Sequence, residues 1–185
     1  MVDNITSMEQ DLAALLSRRS VLIAVAFVST LEASAADVQS EQITVSGAVK
    51  TALTLKVDDL KAFPADQIIS VTVTRRVGDK EIASTVRGVK LTAVLERAGL
   101  ASSDQNDWKH TTVLATATDG YQVVFSWPEL FNTEVGGGAL LVFERDGQPL
   151  AAREGQIALA SARDQRTGPR SVKWLSRLNV KVLKD

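Results

Sequence analysis

Ser161-Ala162-Arg163-Asp164-Gln165-Arg166-Thr167-Gly168-Pro169-Arg170-Ser171-Val172-Lys173-Trp174-Leu175 is the stretch on which the reading of this chain turns. It gathers Arg163, Arg166, Arg170 and Lys173 in a segment broken by Gly168-Pro169. Apolar runs bracket it: residues 157–160 before, and Val172, Leu175, Leu178, Val180 and Val182 after. A basic, turn-prone loop held between two hydrophobic segments is a place where a fold presents cations to an anionic or acceptor-rich ligand. The same composition also describes a plain solvated loop, and the residues alone leave both readings open.

The chain has 185 residues, enough for one domain plus a leader. Hydrophobic residues make up 45% and charged residues 23%, with a formal charge of -1, so a broad nucleic-acid-binding surface is not indicated. There is no cysteine, which removes disulfides, thiolate metal sites and cysteine nucleophiles. The single histidine, His110, cannot supply a tetrahedral zinc site or a histidine-based facial triad. No Gly-x-Ser-x-Gly elbow accompanies it, so a Ser-His-Asp hydrolase is not supported. His110 reads as a loop or strand-entry residue.

Near the N-terminus, Ser17-Arg18-Arg19-Ser20 precedes the apolar run Val21-Leu22-Ile23-Ala24-Val25-Ala26-Phe27-Val28. That run is too short to span a bilayer and has the length of a signal-peptide core. Ala33-Ser34-Ala35 is a small-x-small cleavage signal, and the paired arginines resemble a twin-arginine export signal. Residues 1–35 are therefore expected to be a leader cleaved before Ala36, and residues 36–185 a single periplasmic domain. Asp3, Glu9 and Asp11 are acidic for a leader and make Met8 an alternative start. A retained amphipathic N-terminal helix is the competing reading.

The remaining chain alternates like a strand-rich α+β domain. Residues 42–49, 53–55, 68–74 and 81–86 read as strands, the last two as a hairpin about residues 77–80. Residues 57–63 read as a short helix stopped by Pro64. Val89, Leu91, Val94, Leu95 and Ala98 are spaced as one helical face ending at Gly99. Residues 101–107 form a polar loop. Residues 112–118 and 121–126 pair about Asp119-Gly120, and Trp127-Pro128 opens a short helix. Gly136-Gly137-Gly138 lacks the ending of a phosphate-binding P-loop and reads as a connector. Residues 139–143, 157–160 and 172–182 complete the strands, with a turn at 145–150 and no internal repeat.

Several of these pieces occur in the order of one family. They are Arg87-Gly88-Val89-Lys90-Leu91, Asp119-Gly120-Tyr121, Asp146-Gly147-Gln148-Pro149-Leu150 and, most specifically, Gly168-Pro169-Arg170-Ser171-Val172-Lys173-Trp174-Leu175. The chain resembles the oxidoreductase molybdopterin-binding domain of the sulfite oxidase family. The resemblance implies a compact mixed α+β sulfite-oxidase fold with a pterin in a basic cleft, wrapped by residues 163–173. It also exposes a departure. Family enzymes hold molybdenum through a cysteine shortly after the strand matching residues 70–74, where this chain reads Val73-Thr74-Arg75-Arg76-Val77. Arginine cannot replace a soft thiolate ligand.

The chain is similar to small exported members that bind a metal-free pterin and report it to a membrane-bound cyclic-di-GMP synthase/phosphodiesterase. The resemblance therefore implies a non-catalytic pterin-binding protein. Its partner would be the periplasmic domain of such a membrane diguanylate cyclase/phosphodiesterase, with no nucleic acid involved. The alternative is a molybdopterin-dependent oxidoreductase that lacks the cysteine ligand. A pterin offers a donor pair that suits a carboxylate, acceptors that suit arginine, and a flat face for stacking. Asp164 and Asp119 are the carboxylate candidates. Arg163, Arg166, Arg170, Arg75 and Lys173 are the cations, with Ser161 beside them. Tyr121, Trp127 and Trp174 are the aromatic candidates. Each has a structural alternative: Asp119 making its turn, Trp174 in the core, Lys173 as a surface strand residue, Arg75 and Arg76 pairing with Glu81.

Overall fold

Alternation of apolar and polar residues builds ten strands, and the computed structural model, which describes residues 41–184, arranges them in two sheets. The first contains β1 (Gln42–Gly47), β2 (Leu53–Lys56), β5 (Thr111–Ala117), β6 (Gln122–Ser126) and β10 (Leu175–Val182), in the order β2-β1-β10-β5-β6. The second contains β3 (Ile68–Val77), β4 (Lys80–Lys90), β7 (Ala139–Arg145), β8 (Gln148–Pro149) and β9 (Ala158–Ser161), in the order β3-β4-β7-β8, with β9 also paired to β7. Three short helices are inserted: α1 (Val57–Lys61), α2 (Leu91–Ala98) and α3 (Trp127–Asn132). The expected leader and its cleavage site lie outside the described residues.

The architecture is the strand-rich α+β one that the sequence predicts. Every pairing in the first sheet is antiparallel except one: β1 runs parallel to β10, with Val45 opposite Leu178. Both sheets and all three helices send side chains into one core, where Ile43, Leu60, Leu91, Leu95, Phe125, Leu141, Leu159, Leu175 and Leu178 are fully buried. Each such side chain contributes roughly 1.5–3 kcal/mol relative to exposure. A second, smaller apolar cluster, Val86, Leu140, Val142, Ala158 and Ala160, lies on the opposite face of the second sheet.

Three expectations are corrected. The helix of residues 89–98 begins only at Leu91, because the strand before it runs through Lys90. Val89 is paired with Leu141, and Gly88 lies so close to the Leu141 carbonyl that a side chain there would collide with it. The polar loop of residues 101–107 is ordered at its end by a 3-10 turn, Asp107–His110, and another such turn, Gly136–Gly138, replaces the glycine connector. Finally, the last strand does not run from 172. Val172 makes only an isolated bridge to Leu159, Trp174 takes a left-handed backbone (φ 48°), and β10 starts at Leu175.

Candidate functional site

Residues 162–171 form a strap that leaves β9 and crosses toward the start of β10. Its conformation is set by three tethers. Arg170 donates from Nε to Asp164 Oδ2 at 2.7 Å, from Nη2 to Asp164 Oδ1, and from Nη1 to Glu129 Oε1 at 2.8 Å. The Tyr121 hydroxyl donates to the Pro169 carbonyl at 2.7 Å. The Thr167 hydroxyl donates to the Thr74 carbonyl in β3 at 2.9 Å. The strap thus touches both sheets.

The first tether is the strongest, because its partners are charged, bidentate and partly buried. The Arg170 side chain is 21% exposed and that of Asp164 11%. The guanidinium also lies 4.5 Å from the centroid of the Phe125 ring. Hydrogen bonding to Asp164 raises the Arg170 pKa above its already high value; burial opposes this, and Glu129 adds to it. Glu129 is free to serve Arg170 with one oxygen because the other caps its own helix. Ser126 Oγ accepts from the Glu129 N–H at 3.1 Å, and Glu129 Oε2 accepts from the Ser126 N–H. The Ser126-x-x-Glu129 pattern of a capping box was readable in the sequence, although nothing there pointed to its link with Arg170.

Arg170 and Asp164 therefore have a packing role that the loop reading did not give them. Other candidates are likewise placed in structural roles. Asp119 Oδ1 accepts from the Tyr121 N–H at 2.9 Å and shapes the turn before β6. Trp127 stacks on Phe131 with ring centroids 4.6 Å apart. Ser161 is fully buried, and its hydroxyl has no partner among the described residues. Arg163 is exposed, but its stem crosses Gly138 so closely that only glycine fits there. Arg166 is exposed on the strap. Trp174 donates from Nε1 to the Ala152 carbonyl at 3.0 Å and is not among the residues that line the cleft. Arg76, not Arg75, reaches Glu81, at 3.7 Å.

Arg75 and Lys173 do come together. They line a cleft of about 220 Å³ whose floor is apolar, from Val142, Ala158 and Ala160 of the second cluster. Arg145, Arg153, Asp146 and Glu154 complete the charged wall, with the Ser84 and Ser171 hydroxyls beside them. Sequence reasoning missed Arg145, Arg153 and Glu154, which lie outside the basic loop. Both carboxylates are engaged. Glu154 Oε2 accepts from Arg145 Nε and Nη2 at 3.0 and 2.9 Å, while Arg145 Nη1 donates to Ser84 Oγ at 2.6 Å. Asp146 Oδ1 accepts from the Thr85 N–H at 2.7 Å. Arg75, Arg153 and Lys173 have no carboxylate partner among the described residues.

The cleft thus offers three uncommitted cations above an apolar floor. An anionic group such as a phosphate fits the cations, and a flat ring fits the floor. The volume is below that of a drug-sized pocket, so it suits one small ring system or a phosphate with part of one. The carboxylates at the cleft are Asp146 and Glu154, each with one oxygen already accepting a hydrogen bond, while Asp164 and Asp119 are committed elsewhere. The protein itself supplies no thiolate to a molybdenum. The chain has no cysteine, and the described residues hold no group of three His, Asp or Glu placed to share a metal. Where the resemblance implies a thiolate, β3 continues without a break through Thr74, Arg75 and Arg76.

No curated protein sequence matches the chain. Among solved structures, the sulfane dehydrogenase SoxCD from Paracoccus pantotrophus superposes with a TM-score of 0.60 at 18% identity, over 78% of this chain and 39% of that one. That likeness shows a shared fold, and the chain spans about two fifths of the length of the SoxCD chain. The family model described as oxidoreductase molybdopterin binding domain matches residues 30–183. The family match over residues 30–183 and the shared two-sheet architecture establish that the chain belongs to the oxidoreductase molybdopterin-binding domain family and has the sulfite oxidase fold.

Proposed function

We propose that this protein is an exported, non-catalytic pterin-binding module whose ligand state is read by a membrane cyclic-di-GMP synthase/phosphodiesterase. The observation that carries the binding part is the cleft: three uncommitted cations around an apolar floor, in a chain with no thiolate to anchor a metal. Arg75, Arg153 and Lys173 would hold a phosphate or other anionic tail, and Val142, Ala158 and Ala160 would lie under the ring. Export rests on the leader motif, and the membrane partner rests on the resemblance to the small exported subgroup.

Membership in an oxidoreductase family favours a second reading, a molybdopterin enzyme working without a protein thiolate. A bound molybdopterin would itself supply the sulfur donors and the redox chemistry. This chain's residues would bind its phosphate and shield its ring. Metal analysis and fluorescence of the purified protein separate the two. Pterin bound with no stoichiometric molybdenum supports the module. One molybdenum per chain overturns it. Deletion of residues 1–35, with fractionation of the expressing cells, tests export.

A further inference from the structure

Arg170 stands at the junction between the strap and the cleft, three residues before Lys173, yet it does not line the cleft. Three of its N–H groups are spent on two carboxylates, and its guanidinium packs against Phe125. One positive and two negative charges meet in this cluster, so an approaching anion finds surplus negative charge there. The cations without carboxylate partners are on the cleft wall instead.

The segment between Arg170 and Lys173 is fixed from two sides. Downstream, Val172 exchanges two backbone bonds with Leu159, at 2.9 and 2.8 Å, and the Trp174 N–H donates to the Glu154 carbonyl at 2.8 Å. These leave Ser171 unsecured, because its N–H bonds only back into the strap, to the Gly168 carbonyl at 3.1 Å. Upstream, the tethers from the middle of the strap to the body are the Thr167 and Tyr121 hydrogen bonds and the Arg170 cluster. The first two are single neutral bonds at exposed positions. The third is ionic, bidentate and partly buried, and it dominates.

We propose that Arg170 is a positioning residue for the ligand cleft rather than a ligand contact: by clasping Asp164 and Glu129 together it holds the strap so that Ser171 faces the cleft. This rests on the reading of the cleft as a ligand site. The members of the clasp share Arg170, so the effects of losing them should not add.

Calorimetric titration with neopterin monophosphate tests it on the wild-type protein, Arg170→Met, Glu129→Gln, Asp164→Asn and the double variant Arg170→Met/Glu129→Gln. Amide hydrogen exchange without ligand is read alongside. Each single variant should bind about fivefold more weakly or worse, and the double variant no worse than Arg170→Met alone. Exchange should quicken across residues 165–171 while the Val172 and Trp174 amides keep their protection. Should Arg170→Met fail to fold, the two carboxylate variants decide. Tighter binding by Glu129→Gln or Asp164→Asn would mean that a freed guanidinium contacts the ligand, and would overturn the proposal. Wild-type affinity in all three single variants would overturn it too. A wild-type protein that binds no probe overturns the cleft reading itself, and the inference with it, a result distinct from variants that match a binding wild type.

Discussion

Trp174 fills the space beside Gly155: a methyl group on Gly155 would lie 2.7 Å from Trp174 Cδ1 and 2.9 Å from its Cα. Gly155 also has φ +80°, where an L side chain is strained. The pair fixes the corner that follows Arg153 and Glu154 on the cleft wall. Gly155→Ala is expected to cost about 2–4 kcal/mol, from backbone strain and overpacking together. Urea denaturation measures it, and a loss below about 0.5 kcal/mol would show that the corner relaxes freely.

The cleft cations should act separately on binding. Arg75→Ala, Arg153→Ala and Lys173→Ala should each weaken binding of neopterin monophosphate about 5–10-fold, or about 1–1.4 kcal/mol. Each should also flatten the dependence of affinity on salt, since a charge is removed from the site. Arg76→Ala, whose side chain is exposed and faces Glu81, should do neither. Titration at two salt concentrations reads both effects.

Asp107 makes stability depend on acid. Burial works against its charge, but the N–H groups of Asp104 and Ser103, the Ser102 hydroxyl and the Lys184 ammonium outweigh it and hold the carboxyl below its ordinary value of 3.8. A carboxyl with a depressed folded-state pKa binds its proton more readily in the unfolded chain. Its contribution is therefore complete above 3.8 and is lost as pH falls through the lower folded value. Asp107→Asn should remove that part of the acid-limb slope when the unfolding free energy is followed down from pH 5. An unchanged slope would show that the carboxyl has the same proton affinity in the folded and unfolded chain.

Gly88 faces the Leu141 carbonyl at the irregularity between Arg87 and Gly88 where β4 meets β7. Gly88→Val forces those two strands apart and should cost about 3 kcal/mol or more. For a domain of this size that lowers the melting temperature by roughly 6–12 °C. A melting curve like that of the wild type would mean that the strands separate without penalty.

Local patterns in the sequence reached most of the fold and less of the site. The alternation at Ile43 and Val45, or at Val71 and Val73, is short-range information, and so is the Asp119-Gly120 turn; all three have their expected form. The parallel contact of β1 with β10 joins residues more than 130 apart, and no local signal encodes it. The site was less legible for the same reason. Arg75 and Lys173 were legible as cations, but Arg153 comes to the cleft from the short 3-10 turn Ala152–Glu154, which carries no motif. Asp164 and Arg170, six residues apart across Gly168-Pro169, looked unpaired because only the fold of the strap brings them together. Charge in a loop is easy to see in a sequence; whether another charge already claims it is a three-dimensional fact.

The central place of β10 has a consequence for biosynthesis. Its neighbours on either side are β1 and β5, so the first sheet has a gap in its middle until residues 175–182 have emerged from the ribosome. Strand β1 must wait for residues 175–182 before it finds this neighbour, so the first sheet closes late in synthesis and cannot form strand by strand. A nascent chain in that condition is a natural client for holding chaperones, and shortening it by its last strand would leave β1 and β5 without the partner that joins them.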